Sequence, residues 1–197
     1  MIKTNNLEIG IDEAGRGPLI GRVYAAAVIW DGEAEFINDS KKLTKKKRKD
    51  AFDWIKNNNN IIYGIGWADE NEIDEINILQ ATKVAMKRAL ENLNLNLSNY
   101  TLLIDGIGWE KQFYDLNVKS IIKGDSKYYS IAAASILAKE YHDDYIKNLC
   151  CENPEINEKY DLLHNMGYGT KKHIAGIEKY GYTNFHRKSY KLSKLIN

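Results

Sequence analysis

The chain has 197 residues, of which 44% are hydrophobic and 28% are charged, so the composition predicts one globular domain with a sizeable core rather than two full-sized domains. Its formal net charge of +1 excludes any argument for a nucleic-acid ligand from total charge alone. No apolar run approaches the roughly 18 residues that a membrane span requires, and MIKTNNLEIG contains no apolar signal core, so we expect a cytoplasmic protein without a membrane partner.

The first third of the chain predicts a hairpin, a helix and a third strand. Leu7 to Asp12 and Arg22 to Trp30 are rich in β-branched and small apolar residues, and GRGPLIG between them supplies turn residues. A Lys-rich helix is expected from about Thr44 to Lys56. Ile61 to Trp67 then predicts a third strand beside the hairpin.

The rest of the chain predicts helices and two more strands. Apolar residues recur at intervals of three and four from Ile78 to Leu93, which is typical of an amphipathic helix lying on a sheet. Thr101 to Asp105 and Val118 to Ile122 are short buried strands, and further helices are expected at Tyr129 to about Asn148 and Thr170 to Lys179. The expected order, βββαβαβα, indicates an α/β layered domain.

Acidic side chains follow three of the predicted strands. Asp12 and Glu13 lie where the first strand ends, and Asp105 and Asp125 follow two later strands. Ligands gather at the carboxyl ends of strands in open α/β sheets, so the four acids are able to share one edge. Clustered carboxylates raise one another's pKa values unless a hard divalent cation neutralises them, and oxygen ligands favour Mg²⁺ or Mn²⁺ over zinc. Taken singly, an acid at a strand end is equally typical of a turn or a helix cap.

Basic residues concentrate in two segments. Residues 41–49, KKLTKKKRK, contain seven basic residues of nine, and His186 to Lys194 adds four more. Two interpretations stay open at this point. Either segment is able to bind phosphates, or the two are simply the solvated start of a helix and a frayed terminus.

Several blocks of sequence, in one order along nearly the whole chain, resemble the ribonuclease HII family, the type 2 ribonucleases H. IGIDEAGRGPLIG (9–21) resembles the family's opening motif. Further matching blocks are DSKKLT (39–44), LIDG (103–106), KGDSKYYSIAAASILAK (123–139), HNMGYGTKKH (164–173) and HRKSY (186–190). The resemblance implies a ribonuclease H-like α/β fold within a single domain, residues 1–197. Its five-stranded mixed sheet has three antiparallel strands first and is flanked by helices, and a C-terminal helical segment from about 155 to 197 contributes substrate contacts.

The same resemblance implies an endoribonuclease. The implied reaction is hydrolysis of the phosphodiester 5′ to a ribonucleotide, in RNA/DNA hybrids and in DNA duplexes with embedded ribonucleotides, leaving 3′-hydroxyl and 5′-phosphate ends. It implies two Mg²⁺ or Mn²⁺ ions, a monomeric enzyme, and a role in ribonucleotide excision repair and DNA replication.

The resemblance also implies the site residues, position by position. The catalytic and metal-binding carboxylates are Asp12, Glu13, Asp105 and Asp125. The substrate-binding residues are Gly15, Arg16, Gly17, Lys42, Ser126 and Tyr168. Small glycines let the backbone approach a ribose closely enough to hydrogen-bond its 2′-hydroxyl, and an arginine is suited to hold a phosphate. A tyrosine is suited to stack on the deoxyribose that follows the ribonucleotide.

Four positions complicate the match. Arg22 stands where the family usually has proline, and His142 where it usually has arginine. Glu140, at a commonly apolar position, predicts a more exposed helix face, and Asp143 is expected either near Asp125 or on the helix surface.

Two rival functions remain. The sister type, ribonuclease HIII, cuts longer hybrid stretches, and the Gly-Arg-Gly loop argues against it. A non-catalytic nucleic-acid binder that uses residues 41–49 is the other, and the four intact acids argue against that.

Overall fold

The computed structural model describes residues 1–191 of the chain. A mixed five-stranded sheet has the spatial order β3-β2-β1-β4-β5. The strands are β1 (Glu8–Ala14), β2 (Val23–Ile29), β3 (Ile62–Ala68), β4 (Thr101–Asp105) and β5 (Asn117–Ile121). β2 is antiparallel to both β1 and β3, whereas β4 is parallel to both β1 and β5. The expectation of an α/β fold with a mixed sheet of five strands is confirmed.

Helices cover both faces of this sheet because the strands bury side chains on both sides. The helices are α1 (Lys45–Asn57), α2 (Glu70–Glu91), α3 (Tyr129–Glu152), α4 (Pro154–Tyr160), α5 (Leu162–Asn165) and α6 (Lys171–Tyr180). On β2, Val23, Ala25 and Ala27 pack in one core with α2, whereas Ala26 and Val28 pack in a second core with α1 and α3. No helix of residues 1–191 combines the length and the apolarity needed to cross a bilayer.

The expected element order was wrong in two places. The order βββαβαβα leaves out α1, which lies between β2 and β3 where a helix was expected from about Thr44 to Lys56, and it places a helix between β4 and β5, where the chain has only a short 3-10 turn, Trp109–Lys111. The first three strands are antiparallel, as expected. Helix α2 also begins earlier than the apolar repeat predicts. Asp69 caps it in a capping box with Glu72, and a non-helical residue, Asn77 (φ 67°, ψ 164°), interrupts the periodicity after the first turns.

A third apolar core joins the start of the chain to its C-terminal helices. Leu19 and Ile20, from the loop between β1 and β2, pack with Ile146 of α3, Tyr160 of α4 and Ile177 of α6. The C-terminal helical segment therefore packs on residues 15–22, the glycine-rich loop between β1 and β2. The part of that predicted segment from 192 to 197 lies outside the described residues.

Candidate active site

Three carboxylates meet where β1, β4 and β5 end. The parallel register pairs Ile11 with Ile104, which sets the next residues, Asp12 and Asp105, side by side. Asp125 comes from the 3-10 turn Gly124–Ser126 after β5. One carboxylate oxygen from each of Asp12, Asp105 and Asp125 lies within 4.8 Å of the other two. The structure therefore brings together three of the four acids named from the sequence.

The closeness of these groups disfavours their charged forms. Burial raises the pKa of Asp12 well above its ordinary value, and repulsion from Glu13 and Asp105 raises it further. Burial likewise raises the pKa of Asp125, with repulsion from Asp105 and Asp39 adding to the effect. A bound cation would stabilise the ionised forms of all these carboxylates at once, so the cluster favours binding of a cation.

Glu13, the fourth acid, lies beside Asp12 and faces the glycine-rich loop. Its Oε1 accepts a hydrogen bond from Arg16 Nη1 at 3.1 Å. Its Oε2 is buried and has no hydrogen-bond partner among the described residues. Burial raises the pKa of Glu13, although the charge and hydrogen bond of Arg16 oppose that rise. An unpartnered buried carboxylate oxygen next to three converging carboxylates fits a hard divalent cation.

Hydrogen bonds fix the orientation of the carboxylates. Asp105 Oδ1 accepts from the backbone N–H of Gly124 at 2.6 Å, which ties the end of β4 to the turn that carries Asp125. Asp12 Oδ1 accepts from the Glu13 N–H at 2.8 Å. Ser135 of α3 hydrogen-bonds to Ser40 at 2.8 Å between their hydroxyl oxygens, and its hydroxyl lowers the pKa of Asp12 against the effect of burial. The carboxylates are therefore held in place by the fold itself.

A lysine that the sequence reasoning did not name as a site residue lies closer to the carboxylates than the one it did name. Lys41 Nζ is 3.9 Å from Asp125 Oδ2. Burial lowers the pKa of Lys41, but attraction to Asp12, Asp125 and other acids outweighs burial and raises it overall. Lys42 instead donates to Ser126 Oγ at 2.9 Å. Lys42 and Ser126, both predicted to contact the substrate, therefore lie together beside the acids. The block DSKKLT was the available signal, but it does not say which lysine lies nearer to the carboxylates.

A cleft of about 360 Å³ adjoins the carboxylates. Its lining includes Glu13, Gly15, Arg16, Gly17 and Tyr168. Gly15 has φ +90°, and a Cβ on Gly17 would lie only 3.1 Å from the Tyr168 ring. The positive φ favours glycine at position 15, and a side chain at position 17 would crowd the tyrosine ring. Tyr168 is 42% exposed, so its ring remains accessible from the cleft.

The departures from the family pattern on α3 form a buried charge cluster. Arg48 Nε donates to Glu140 Oε1 at 2.6 Å, and Arg48 Nη2 lies 3.4 Å from Asp143 Oδ2. Asp143 also binds Lys139 and His142. The expected exposed face at Glu140 was wrong, because α1 supplies a cation that pairs with it. Asp143 is buried and bound by these partners, so the helix-surface position expected for it was wrong.

The remaining departure, Arg22, stacks its guanidinium on the Trp67 ring at 3.8 Å from the ring centroid.

One residue of the basic C-terminal tail, Arg187, does not have the role that its charge suggested. Arg187 is fully buried and donates to backbone carbonyls of the glycine-rich loop, so its guanidinium is turned away from any phosphate. The segment is also not frayed up to Tyr190, whose hydroxyl binds the same loop. Leu192 to Lys194, the rest of that predicted basic segment, lie outside the described residues.

Comparison with known proteins gives one consistent family. The family model described as Ribonuclease HII matches residues 9–193. A Bacteroides fragilis ribonuclease HII is 47% identical over 188 residues, which cover 94% of this chain and 90% of that protein.

Solved structures agree at the level of the fold. The ribonuclease H2 of Pyrococcus horikoshii superposes with a TM-score of 0.71 at 25% identity, covering 96% of each chain. Bst-RNase HIII in complex with Mn²⁺ gives a TM-score of 0.72 at 18% identity, covering 95% of this chain and 68% of that one. These matches confirm the resemblance that the motif blocks indicated.

Proposed function

Because the chain belongs to the ribonuclease HII family and is a ribonuclease H endonuclease, we propose that it hydrolyses the phosphodiester 5′ to a ribonucleotide, leaving 3′-hydroxyl and 5′-phosphate ends. The proposed substrates are RNA/DNA hybrids and DNA duplexes with embedded ribonucleotides. The observation that carries this proposal is the convergence of Asp12, Asp105 and Asp125 beside a cleft lined by Gly15, Gly17 and Tyr168.

The carboxylates fit the divalent metal that the reaction needs. Asp12, Glu13, Asp105 and Asp125 would hold two ions, Mg²⁺ or Mn²⁺, through oxygen ligands alone. When bound, such ions lower the pKa of the attacking water and neutralise negative charge that develops on the departing oxygen. The raised pKa values of Asp12, Glu13 and Asp125 mean that metal binding releases protons, so affinity rises with pH.

The residues of the cleft are suited to recognise the substrate. The backbone of Gly15 and Gly17, with no Cβ in the way, is able to approach a ribose and hydrogen-bond its 2′-hydroxyl. Arg16, held by Glu13, is placed to bind a neighbouring phosphate. Tyr168 presents its ring for contact with the next sugar, and Lys42, bonded to Ser126, adds a cation for the backbone.

The decisive experiment uses an end-labelled DNA duplex with one embedded ribonucleotide. We expect one nick on the 5′ side of that ribonucleotide in Mg²⁺, no nick in EDTA, and no nick in an all-DNA duplex of the same sequence. Extension of the upstream fragment by a DNA polymerase tests for the 3′-hydroxyl end. Cleavage of long hybrids without cleavage at the single ribonucleotide would contradict the proposal and favour behaviour of the ribonuclease HIII type.

The cellular setting remains a prediction from the family resemblance. We propose that the enzyme starts the removal of ribonucleotides from DNA, in excision repair and replication, as a cytoplasmic monomer. The elution volume of the purified chain in size-exclusion chromatography checks the monomer, and the ribonucleotide content of genomic DNA in a deletion strain checks the role.

A further inference from the structure

We infer that the segment His186–Tyr190 is a brace that positions both walls of the cleft for recognition of the ribose 2′-hydroxyl. One wall is the loop Gly15–Gly17 and the other is the segment around Tyr168. The inference rests on the proposed function, since it concerns how the same site tells a ribonucleotide from a deoxyribonucleotide. It makes His186, Arg187 and Tyr190 positioning residues, which act through the loops and not on the substrate.

Arg187 holds the first wall. It is 0% exposed, and its guanidinium donates to the carbonyls of Gly15 at 2.7 Å, Pro18 at 2.8 Å, Gly21 at 2.8 Å and Arg16 at 3.1 Å. None of the salt bridges among residues 1–191 involves Arg187. Its buried charge is therefore stabilised by these carbonyl dipoles, and the rigid fork of donors fixes where each carbonyl points.

Tyr190 adds a second hold on the same loop. Its hydroxyl donates to the Arg16 carbonyl at 2.5 Å and accepts from Arg187 Nη1 at 3.2 Å. The backbone that would face the ribose is thus fixed from behind by two side chains of one short segment. A shift in either would move the loop's N–H groups relative to the sugar.

His186 holds the second wall through a chain of hydrogen bonds. The Thr183 backbone N–H donates to His186 Nδ1 at 2.9 Å, so this nitrogen accepts. His186 Nε2–H is then the donor to His173 Nε2 at 3.1 Å, which leaves His173 Nδ1–H to donate to the Tyr168 carbonyl at 3.0 Å. Both rings must be neutral for this chain to exist. Burial lowers the pKa of both, that of His186 to about 3, which agrees with neutral rings.

The two walls also meet through the backbone. The Arg187 N–H donates to the Leu19 carbonyl at 2.8 Å, and the Leu19 N–H donates to the Gly167 carbonyl at 2.8 Å. The strand-like segments at Ile20 and His186 form an antiparallel bridge. Consecutive residues, His186 and Arg187, therefore fix the spacing between the loop and Tyr168, and that spacing sets the shape of the cleft.

The mildest test removes one hydroxyl. Tyr190→Phe is compared with Tyr114→Phe, a matched control whose ring is 87% exposed and whose hydroxyl has no hydrogen bond within residues 1–191. We expect Tyr190→Phe to lower kcat/KM at a single embedded ribonucleotide by about threefold to tenfold, the worth of one hydrogen bond. Binding to an all-DNA duplex, measured as Kd by fluorescence anisotropy in EDTA, should be unchanged, and the control should match wild type in both assays.

If the Tyr190 hydroxyl only stabilised the fold, Tyr190→Phe would lower the fraction of active protein, and cleavage and all-DNA binding would fall equally. Wild-type kcat/KM in Tyr190→Phe, or an equal loss in all-DNA binding, would overturn the inference. If the wild-type chain fails to nick the single ribonucleotide, the proposed function itself fails. A wild-type chain that nicks normally beside an unaffected Tyr190→Phe variant rejects only the brace.

The hydrogen-bond chain from His186 through His173 to the Tyr168 carbonyl, the histidine arm of the brace, is tested by rescue. His173→Asn keeps an amide N–H near the position of Nδ1, so it is able to donate to the Tyr168 carbonyl, whereas His173→Leu removes that donor. We expect the Leu variant to lose about tenfold more single-ribonucleotide cleavage than the Asn variant, with thermal unfolding confirming that both are folded. Equal losses in two folded variants would remove this arm from the brace.

Discussion

Replacing Asp12 by asparagine should make the metal-free protein more stable while abolishing cleavage. Asp12 is buried against other carboxylates, and burial together with Glu13 and Asp105 raises its pKa. Asparagine has almost the same shape, and its Oδ1 is still able to accept from the Glu13 N–H. The substitution therefore removes an unfavourable charge without opening a cavity. It also removes a proposed metal ligand, so cleavage in Mg²⁺ should be lost while most duplex binding remains.

The size of the gain follows from the geometry. Two unit charges at 4.8 Å repel by about 3.5 kcal/mol at an effective dielectric constant of about 20. The free-energy cost of keeping Asp12 ionised at pH 7 cannot exceed about 4 kcal/mol. Protonating a carboxyl of ordinary pKa 3.8 costs about 1.4 kcal/mol for each pH unit above that pKa, so Asp12 takes up a proton once ionisation costs more than this. We therefore expect Asp12→Asn to raise the free energy of unfolding in EDTA by about 1–3 kcal/mol. Each kcal/mol should raise Tm by roughly 2–4 °C.

The pH dependence gives the sharper test. The pKa of Asp12 is raised in the folded state, so the wild-type protein loses stability as pH rises through that folded pKa. The advantage of Asp12→Asn should be largest at pH 7 and above, and should shrink toward pH 5. Added Mg²⁺ should stabilise the wild type more than the variant. Asp115→Asn, at an exposed acid, controls for the change in net charge. A variant that is less stable than wild type in EDTA at pH 7, or whose advantage does not change with pH, would refute this reasoning.

Three further predictions follow from other parts of the structure. Arg16→Ala should reduce kcat/KM at an isolated ribonucleotide about tenfold more than in a long hybrid, because a long hybrid offers many cleavable positions. Equal losses on the two substrates would count against the role of Arg16 in recognising a ribonucleotide. Arg48→Ala should lower the free energy of unfolding in urea by about 3–5 kcal/mol, because Glu140 and Asp143 would stay buried without this cation, and a loss below about 1 kcal/mol would contradict that. Gly10→Ala should lower Tm and cost about 1–3 kcal/mol, since its Cβ would lie 2.5 Å from the backbone of Ser130 and Ile131, and an unchanged Tm would show that α3 yields there.

Much of the fold was predictable because its signals are local. The strands and most helices follow from apolar periodicity and turn residues, and the β1–β2 hairpin formed where GRGPLIG predicted it. The early start of α2 was missed because its signal, the capping box at Asp69, is separated from the apolar repeat by the kink at Asn77. The short helices α4 and α5 were missed because neither is long enough for a periodic pattern to show.

The site was predictable as a set of residue types at strand ends, but not as a geometry. The acids were found because each follows an apolar strand. Their approach to 4.8 Å depends on the parallel pairing of β1, β4 and β5, which no local pattern specifies. The same holds for Lys41 and Lys42, neighbours in sequence that lie near different groups.

By itself the sequence determined the family, the α/β class, the strand ends and the acids that follow them, because propensity, periodicity and motif spacing are properties of short segments. Only the tertiary structure decided what surrounds each charged group. Arg187 reads in sequence as one more basic residue of an exposed tail, yet its guanidinium is buried and bonded to a loop 172 positions away. The protonation state and role of a charged side chain depend on its solvation and its partners, and both are supplied by segments distant in the chain.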